Sequence, residues 1–230
     1  MMTIEPIAYF HSPFTSKFGI PRQSGIVEEL RGRIVFTPQY RHSESLRGLE
    51  GFDYLWLIWG FSANVDVVKH TTVRPPRLGG NRHMGVFATR SPFRPNNLGL
   101  SSVRLVEIDT VSGEIVVAGA DLMDNTPVYD IKPYVAFVDS HPHARGGFVD
   151  TDEWHRLQVQ LSDEYRRLLA PADAVALVKT LEEDPRPQYH ADPTRIYGMP
   201  FGGWDVRFRV EHDVLTVIDM VSHQFSDTDV

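Results

Sequence analysis

The sequence predicts a mainly β protein: a β-barrel core domain followed by a small α+β C-terminal domain. Three observations carry that reading. Before residue 138, about six or seven short runs of β-branched and aromatic residues are punctuated by Gly, Pro, Asn and Asp with little helical periodicity, the pattern of a barrel or folded sheet. At Asp139–Asp150 (DSHPHARGGFVD) the composition shifts to Gly, Pro, His and charge, which marks a linker or long loop. Beyond it, helical stretches precede a pair of alternating strands. The expected division is therefore 1–138, 139–150 and 151–230.

Taken in order, residues 4–10 (IEPIAYF) form a first strand, with Pro6 confining it to an edge or strand start. Ser12-Pro13 opens a loop that runs to Gly25. Residues 33–37 (RIVFT) make a short strand, and Ser43 to Glu50 a helical turn ended at Gly51. The most apolar segment, FDYLWLIWGF (52–61), is short and rich in aromatics, which fits a strand covered on both faces. Trp56 and Trp59 read as core residues in preference to a stacking platform. Strands follow at 84–89, 101–108, 114–120 and 128–135, and Val111-Ser112-Gly113 turns a hairpin between 101–108 and 114–120. In the tail, Leu157, Val159 and Leu161 alternate as a strand does. Leu161 to Ala170 and Pro171 to Leu181 read as helices, the second opened by its proline. Residues 205–210 and 214–219 close the chain as a strand hairpin.

Composition narrows the chemistry. An apolar fraction of 42% with 23% charged residues is that of an ordinary globular protein. No run of about 18 apolar residues is present, so no membrane span is expected, and MMTIEPIAYFHSPF has neither the basic nor the apolar region of a secretory signal. The absence of cysteine rules out disulfides, thiolate metal sites and a cysteine nucleophile, and fits a cytoplasmic setting. The ten histidines show no paired helical spacing, so no metal is expected. No Gly-x-Gly-x-x-Gly, Walker loop or Gly-x-Ser-x-Gly elbow occurs, which turns the search away from a Rossmann nucleotide site.

The local charge pattern is more informative. The formal net charge is -7, yet no acidic residue lies between Asp66 and Glu107, while Lys69, Arg74, Arg77, Arg82, Arg90, Arg94 and Arg104 do. Unscreened guanidinium groups repel one another and are relieved by an anionic partner. Arg74, Arg77, Arg82 and Arg94 are accordingly candidates to hold an anionic partner. The bland alternative is a solvated basic loop paired with acids elsewhere. Within this run, Arg90-Ser91-Pro92-Phe93-Arg94-Pro95-Asn96 presents forked donors on a proline-stiffened loop, suited to carboxylate or phosphate. Pairing of Arg90 and Arg94 with Asp53 or Asp124 is the competing reading. Asp121-Leu-Met-Asp124-Asn125-Thr126-Pro127 either builds a turn with its own side chains or offers two carboxylates to a ligand. Asp130 and Lys132 share a strand face and are expected to pair.

Pro21-Arg22-Gln23, RGLEGFDYLWLIWGF (47–61), RPPRLGG (74–80), GVFATRSPFRPN (85–96), the Asp124–Tyr134 run, DPRPQY (184–189) and VRFRV (206–210) together resemble the TrmO (YaeB/TsaA-like) family of tRNA methyltransferases over essentially the full chain. The resemblance implies a β-barrel enzyme using S-adenosyl-L-methionine, acting as a homodimer on the anticodon loop of tRNA. The implied product is N6-methylated threonylcarbamoyl-adenosine at position 37 of threonine tRNA. By the same resemblance, Pro21, Arg22, Gln23, Arg90, Leu100, Asp124, Asn125, Thr126 and Pro127 are expected to contact the cofactor, with Ser62 and Ala63 at the position after the apolar strand. Three features depart from the family pattern: Ser62-Ala63 stands for a His-Gln pair of some relatives, Asn125 for a common glycine and Asn97 for a proline. Asn tolerates the left-handed conformation, so the turn at Asn125 is expected to persist. Asp124 is the candidate to orient or deprotonate the attacking nitrogen. The alternatives are a non-catalytic RNA- or nucleotide-binding module and a related methyltransferase with another substrate.

Overall fold

In the computed structural model, which describes residues 3–64, 68, 70–75, 82–151, 155–187 and 192–222, the chain is built mostly of strands. They are β1 (Ala8–His11), β2 (Arg31–Phe36), β3 (Tyr54–Gly60), β4 (Thr72–Val73), β5 (Met84–Gly85), β6 (Leu98–Asp109), β7 (Glu114–Ala118) and β8 (Thr126–Pro133). A short helix α1 (Ala136–Asp139) follows, then β9 (Gln158–Gln160), α2 (Asp163–Arg166), α3 (Pro171–Glu182), β10 (Tyr197–Phe201), β11 (Trp204–Glu211) and β12 (Val214–Ser222). Six strands close a barrel in the order β1-β2-β7-β6-β3-β8, and β10-β11-β12-β9 form a second sheet. Arg77, within the basic run, and Gln188-Tyr189, in the tail motif, lie outside the described residues.

Alternation explains the barrel. On β3, Leu55, Leu57 and Trp59 point inward and are buried, while Trp56 and Ile58 are only half-buried, so the strand is not fully covered on its outer face. With Phe10, Ile34, Val103, Ile115, Val117 and Val128, the inward residues fill the interior. Several boundaries shift from the sequence reading for local reasons. The first strand begins only at Ala8, after Pro6, which can give no ladder donor. Residues 84–89 are a strand only at Met84–Gly85. Val86–Ala88 then tightens into a 3-10 turn, with the Thr89 hydroxyl donating back to the Val86 carbonyl at 2.9 Å. In the tail, the helix expected over 161–170 is one turn, Asp163–Arg166, with the Ser162 hydroxyl accepting from the Tyr165 amide.

A second core lies between α3 and the four-stranded sheet, around Leu177, Leu181, Met199, Val206, Phe208 and Leu215. It is completed from the front of the chain. Phe14, Val27 and Leu30 are buried in it, with Phe18, Ile20 and Ile26 packed alongside. Phe14 meets Phe201 edge-on at 5.4 Å, and the Gly202 amide donates to the Pro13 carbonyl at 2.9 Å. The 12–30 segment is thus a strap, one edge in the second core and one on the barrel, where the Gly25 amide donates to the Gly119 carbonyl at 2.8 Å.

Candidate functional site at the barrel rim

Strand register gathers the candidate residues at one end of the barrel. Leaving β3, Ile58, Trp59 and Gly60 lie opposite Leu100, Gly99 and Leu98 at the start of β6. Trp59 also pairs with Val128 near the start of β8, after a register shift that follows Ile58. On the same rim, Phe10 at the end of β1 faces Thr126. The strap with Pro21-Arg22-Gln23, the 3-10 turn Ser62–Asn64, Leu100 and the Asp124–Pro127 turn therefore all leave from one edge. Gly99 is required there, since a Cβ would lie 2.3 Å from the Trp59 ring.

The arginine loop is rigid. Arg94 Nη1 donates to the carbonyls of Thr89 at 3.1 Å and Ser91 at 3.3 Å, so this guanidinium braces its own loop. Asn97 takes a positive φ of 49° and donates from Nδ2 to the Asn64 carbonyl at 3.1 Å, tying the loop to the turn after β3. Arg90 donates from Nη1 to Gln23 Oε1, joining the loop to the strap. Among the described residues, neither Arg90 nor Arg94 lies within ion-pair distance of Asp53 or Asp124.

These parts enclose a cavity of about 1170 Å³. Arg22, Gln23 and Arg90 stand on one wall; Arg74, His83, Phe87, Phe93 and His70 on another; and Gly146, Phe148 and Val149 reach it from the stretch read as a linker. Ser62, Ala63, Leu100 and the Asp124–Pro127 turn are on the same rim but not among the lining residues, and neither are Arg82 and Arg94. The aromatic wall was not singled out from the sequence. Its signal was available: Phe87 and Phe93 sit inside the acid-free run.

The two carboxylates of the 121–127 segment differ in setting. Asp124 is half-buried; its Oδ1 accepts from His11 Nδ1 and the Ser12 amide, both at 3.1 Å, and its Oδ2 from Asn125 Nδ2 at 3.1 Å. Asn125 holds φ 58°, the left-handed turn expected of it. Asp121 accepts at 2.6 Å from the hydroxyl of Ser101, itself buried, which in turn accepts from Trp59 Nε1 at 2.9 Å. Burial pushes the Asp121 carboxyl above the usual range. The Ser101 hydroxyl, its own backbone, the charge of Arg90 and the Ser24 backbone pull it partly back. Asp130 and Lys132 pair at 2.9 Å, as their shared strand face predicts.

The family described as "tRNA-methyltransferase O N-terminal domain" matches residues 9–140, and "TrmO C-terminal domain" matches 155–223. The chain is 36% identical over 216 residues to the tRNA (adenine(37)-N6)-methyltransferase of Escherichia coli K12, covering 90% of this chain and 92% of that protein. It is 38% identical over 226 residues to a Pseudomonas aeruginosa protein named as a candidate S-adenosylmethionine-dependent methyltransferase, covering 95% and 97%. The crystal structure of TrmO from Pseudomonas aeruginosa superimposes with a TM-score of 0.77 at 32% identity, covering 96% of this chain and 100% of that one.

Proposed function

The chain belongs to the tRNA-methyltransferase O family, and from that premise we propose that it is an S-adenosyl-L-methionine-dependent tRNA methyltransferase acting on N6 of adenosine 37. In its finer form, the proposed substrate is threonylcarbamoyl-adenosine in threonine tRNA. The observation that carries the reading is a rim cavity with Arg90 and Gln23 joined on its wall and no carboxylate of the described residues ion-paired to Arg90. Forked donors left open in a cavity suit an anionic or polar ligand. The residues fit the cofactor's chemistry: Arg22, Gln23 and Arg90 can hold its carboxylate and hydroxyls. The exposed Leu100 side chain, with the half-buried Pro127, gives its apolar parts a surface; Pro21 is buried just before Arg22, and Ser62-Ala63 and Asn125-Thr126 border the same rim.

When bound, the cofactor supplies an electrophilic methyl group on a sulfonium. This chain's own task is to place the nucleophile and manage its proton. The N6 lone pair of a carbamoylated adenine is delocalised into ring and urea, so an acceptor for the N6 proton is needed. Asp124 is the proposed acceptor. Its Oδ1 is occupied twice and its Oδ2 once, which leaves a carboxylate lone pair free. Because the base lies in a single-stranded loop, it can be splayed into the cavity at modest unstacking cost. Arg77, Arg82 and Arg94 are proposed to meet tRNA phosphates, giving steep salt dependence.

The matched segments support reading 1–138 as the cofactor-binding barrel and 151–230 as the second domain, with 139–150 between them. A homodimer, a cytoplasmic setting and independence of metal complete the proposal. The test is nucleoside analysis of threonine tRNA from cells with and without the protein, with calorimetry against S-adenosyl-L-methionine. A methylated threonylcarbamoyl-adenosine that vanishes with the protein supports the reading. RNA binding without cofactor affinity would instead leave a non-catalytic binding module.

A further inference from the structure

The cavity is somewhat larger than the roughly 300–1,000 Å³ pocket typical for one small ligand. It has a second wall outside the proposed cofactor contacts. On that wall the β4–β5 ladder pairs Thr72 with Gly85 and Val73 with Met84, so the next residues out, Arg74 and His83, stand opposite each other. Arg74 Nε donates to His83 Nε2 at 3.0 Å, and His83 Nδ1 lies 3.4 Å from the Thr72 hydroxyl. A ring nitrogen that accepts from a guanidinium offers it a lone pair and no negative charge. It thereby fixes the plane of Arg74 without cancelling its charge. No carboxylate of the described residues pairs with Arg74, and its two Nη groups remain as a fork. Lining the same cavity, Phe87 exposes 78% of its surface although its neighbour Val86 is buried and anchored by its amide to the Thr71 carbonyl at 3.0 Å. An exposed ring on a rigid turn, lining a cavity, is a stacking surface.

We propose that Phe87 and Arg74 form a subsite for a flat nucleobase carrying an anionic substituent, the base stacked on Phe87 and the anion held in the Arg74 fork. Resting on the proposed function, the base is adenine 37 and the anion is the threonine carboxylate of its threonylcarbamoyl group. Arg74 then reads the modification itself and distinguishes a modified tRNA from the same tRNA without it.

The test is equilibrium binding of purified threonine tRNA with and without the threonylcarbamoyl group, for wild type, Arg74→Gln and Phe87→Ala, beside calorimetry with S-adenosyl-L-methionine. Phosphate contacts are common to both tRNAs and cancel in the ratio. Wild type binds the modified tRNA at least about tenfold more tightly, and Arg74→Gln brings that ratio to near one, as expected for loss of a charge-assisted fork. Phe87→Ala weakens both tRNAs about tenfold. Cofactor affinity is unchanged in both variants. Equal binding of the two tRNAs by wild type, or a ratio that survives in Arg74→Gln, overturns the subsite. A loss of cofactor affinity in Phe87→Ala assigns the ring to the cofactor's own adenine and overturns it equally. Failure of wild type to bind the cofactor sinks the parent reading alone, because the tRNA ratio is still measured. Both side chains are exposed, so folding is retained, which thermal melting checks.

Discussion

The Ser101 hydroxyl donates to Asp121 Oδ1 at 2.6 Å while it accepts from Trp59 Nε1 at 2.9 Å, so the barrel core ends in a carboxylate beneath the candidate site. The Ser24 backbone also donates to this carboxylate, and the charge of Arg90 acts on it from the candidate site. Burial raises the Asp121 carboxyl above its unfolded value, and this fixes the sign of its linkage. Its contribution to stability is fully present below the unfolded pKa and is lost as pH rises through the folded one. Asp121→Asn keeps an acceptor for Ser101 and removes the ionisation. The variant is expected to melt a few degrees above wild type at pH 7, with the gap closing as pH falls below the ordinary carboxylate range. A constant gap across pH 3–8 would remove Asp121 as its source.

Arg90 is the joint between loop and strap, through its bond to Gln23 Oε1. Because the side chain is exposed, its removal should leave the fold intact. Arg90→Ala is expected to weaken cofactor binding about ten- to a hundredfold, the scale of lost charge-assisted hydrogen bonds. Arg90→Lys restores the charge but not the fork and should remain about tenfold weak. Calorimetry reads both, and full affinity in Arg90→Lys would show that charge alone matters.

The strap makes cofactor binding depend on the second core. Phe14 is 2% exposed and packed on Phe201, so Phe14→Ala should cost about 3–5 kcal/mol in denaturant unfolding. Pro21-Arg22-Gln23 lies between Ile20 and Ile26, both packed on that core, and the same variant should weaken cofactor binding while still folded. Gly19→Ala tests the joint another way. Gly19 has φ 93°, and a Cβ there would lie 2.2 Å from Met199 Sδ, so either the strap or the buried Met199 side chain must shift. Unchanged cofactor affinity in both variants would separate the strap from the site.

What the sequence disclosed follows from what is local. Alternation, turn residues and the density of aromatics at 52–61 suffice for the barrel strands, and prolines with an acid-free run suffice to place the arginine loop. What it hid depends on distant partners. Strand β10 escaped because its outward residues are Gly198 and Pro200, which read as breakers. Only the pairing of Tyr197, Met199 and Phe201 with β11 on a sheet edge makes it a strand. Val86 turns into a 3-10 step where the sequence reads strand, because its side chain is buried and its amide is taken by Thr71. Phe148 and Val149 sit in a segment whose composition says linker, and their place on the cavity wall is a tertiary fact. The same holds for Asp121 and Asp124: three residues apart and alike in sequence, one sits under the barrel core and the other ties two strand ends.

Asp124 gives the sharpest test of the proposed chemistry. Its Oδ1 holds His11 and the Ser12 amide, and an asparagine Oδ1 can accept from the same two donors, so Asp124→Asn should preserve the junction between β1 and β8. The substitution replaces Oδ2 by an amide that can no longer accept a proton. If that oxygen takes the N6 proton, kcat should fall about 10²- to 10⁴-fold, the usual contribution of a positioned base, with cofactor affinity little changed. Asn125→Gly is the companion variant. It keeps the turn, since φ is already 58°, and withdraws the Asn125 donor from Oδ2, so turnover should hold or rise. A turn-building role alone predicts the reverse for Asp124→Asn: weaker cofactor binding, a lower melting temperature and undiminished kcat. Steady-state kinetics beside a melting curve therefore separates the two roles in one pair of variants.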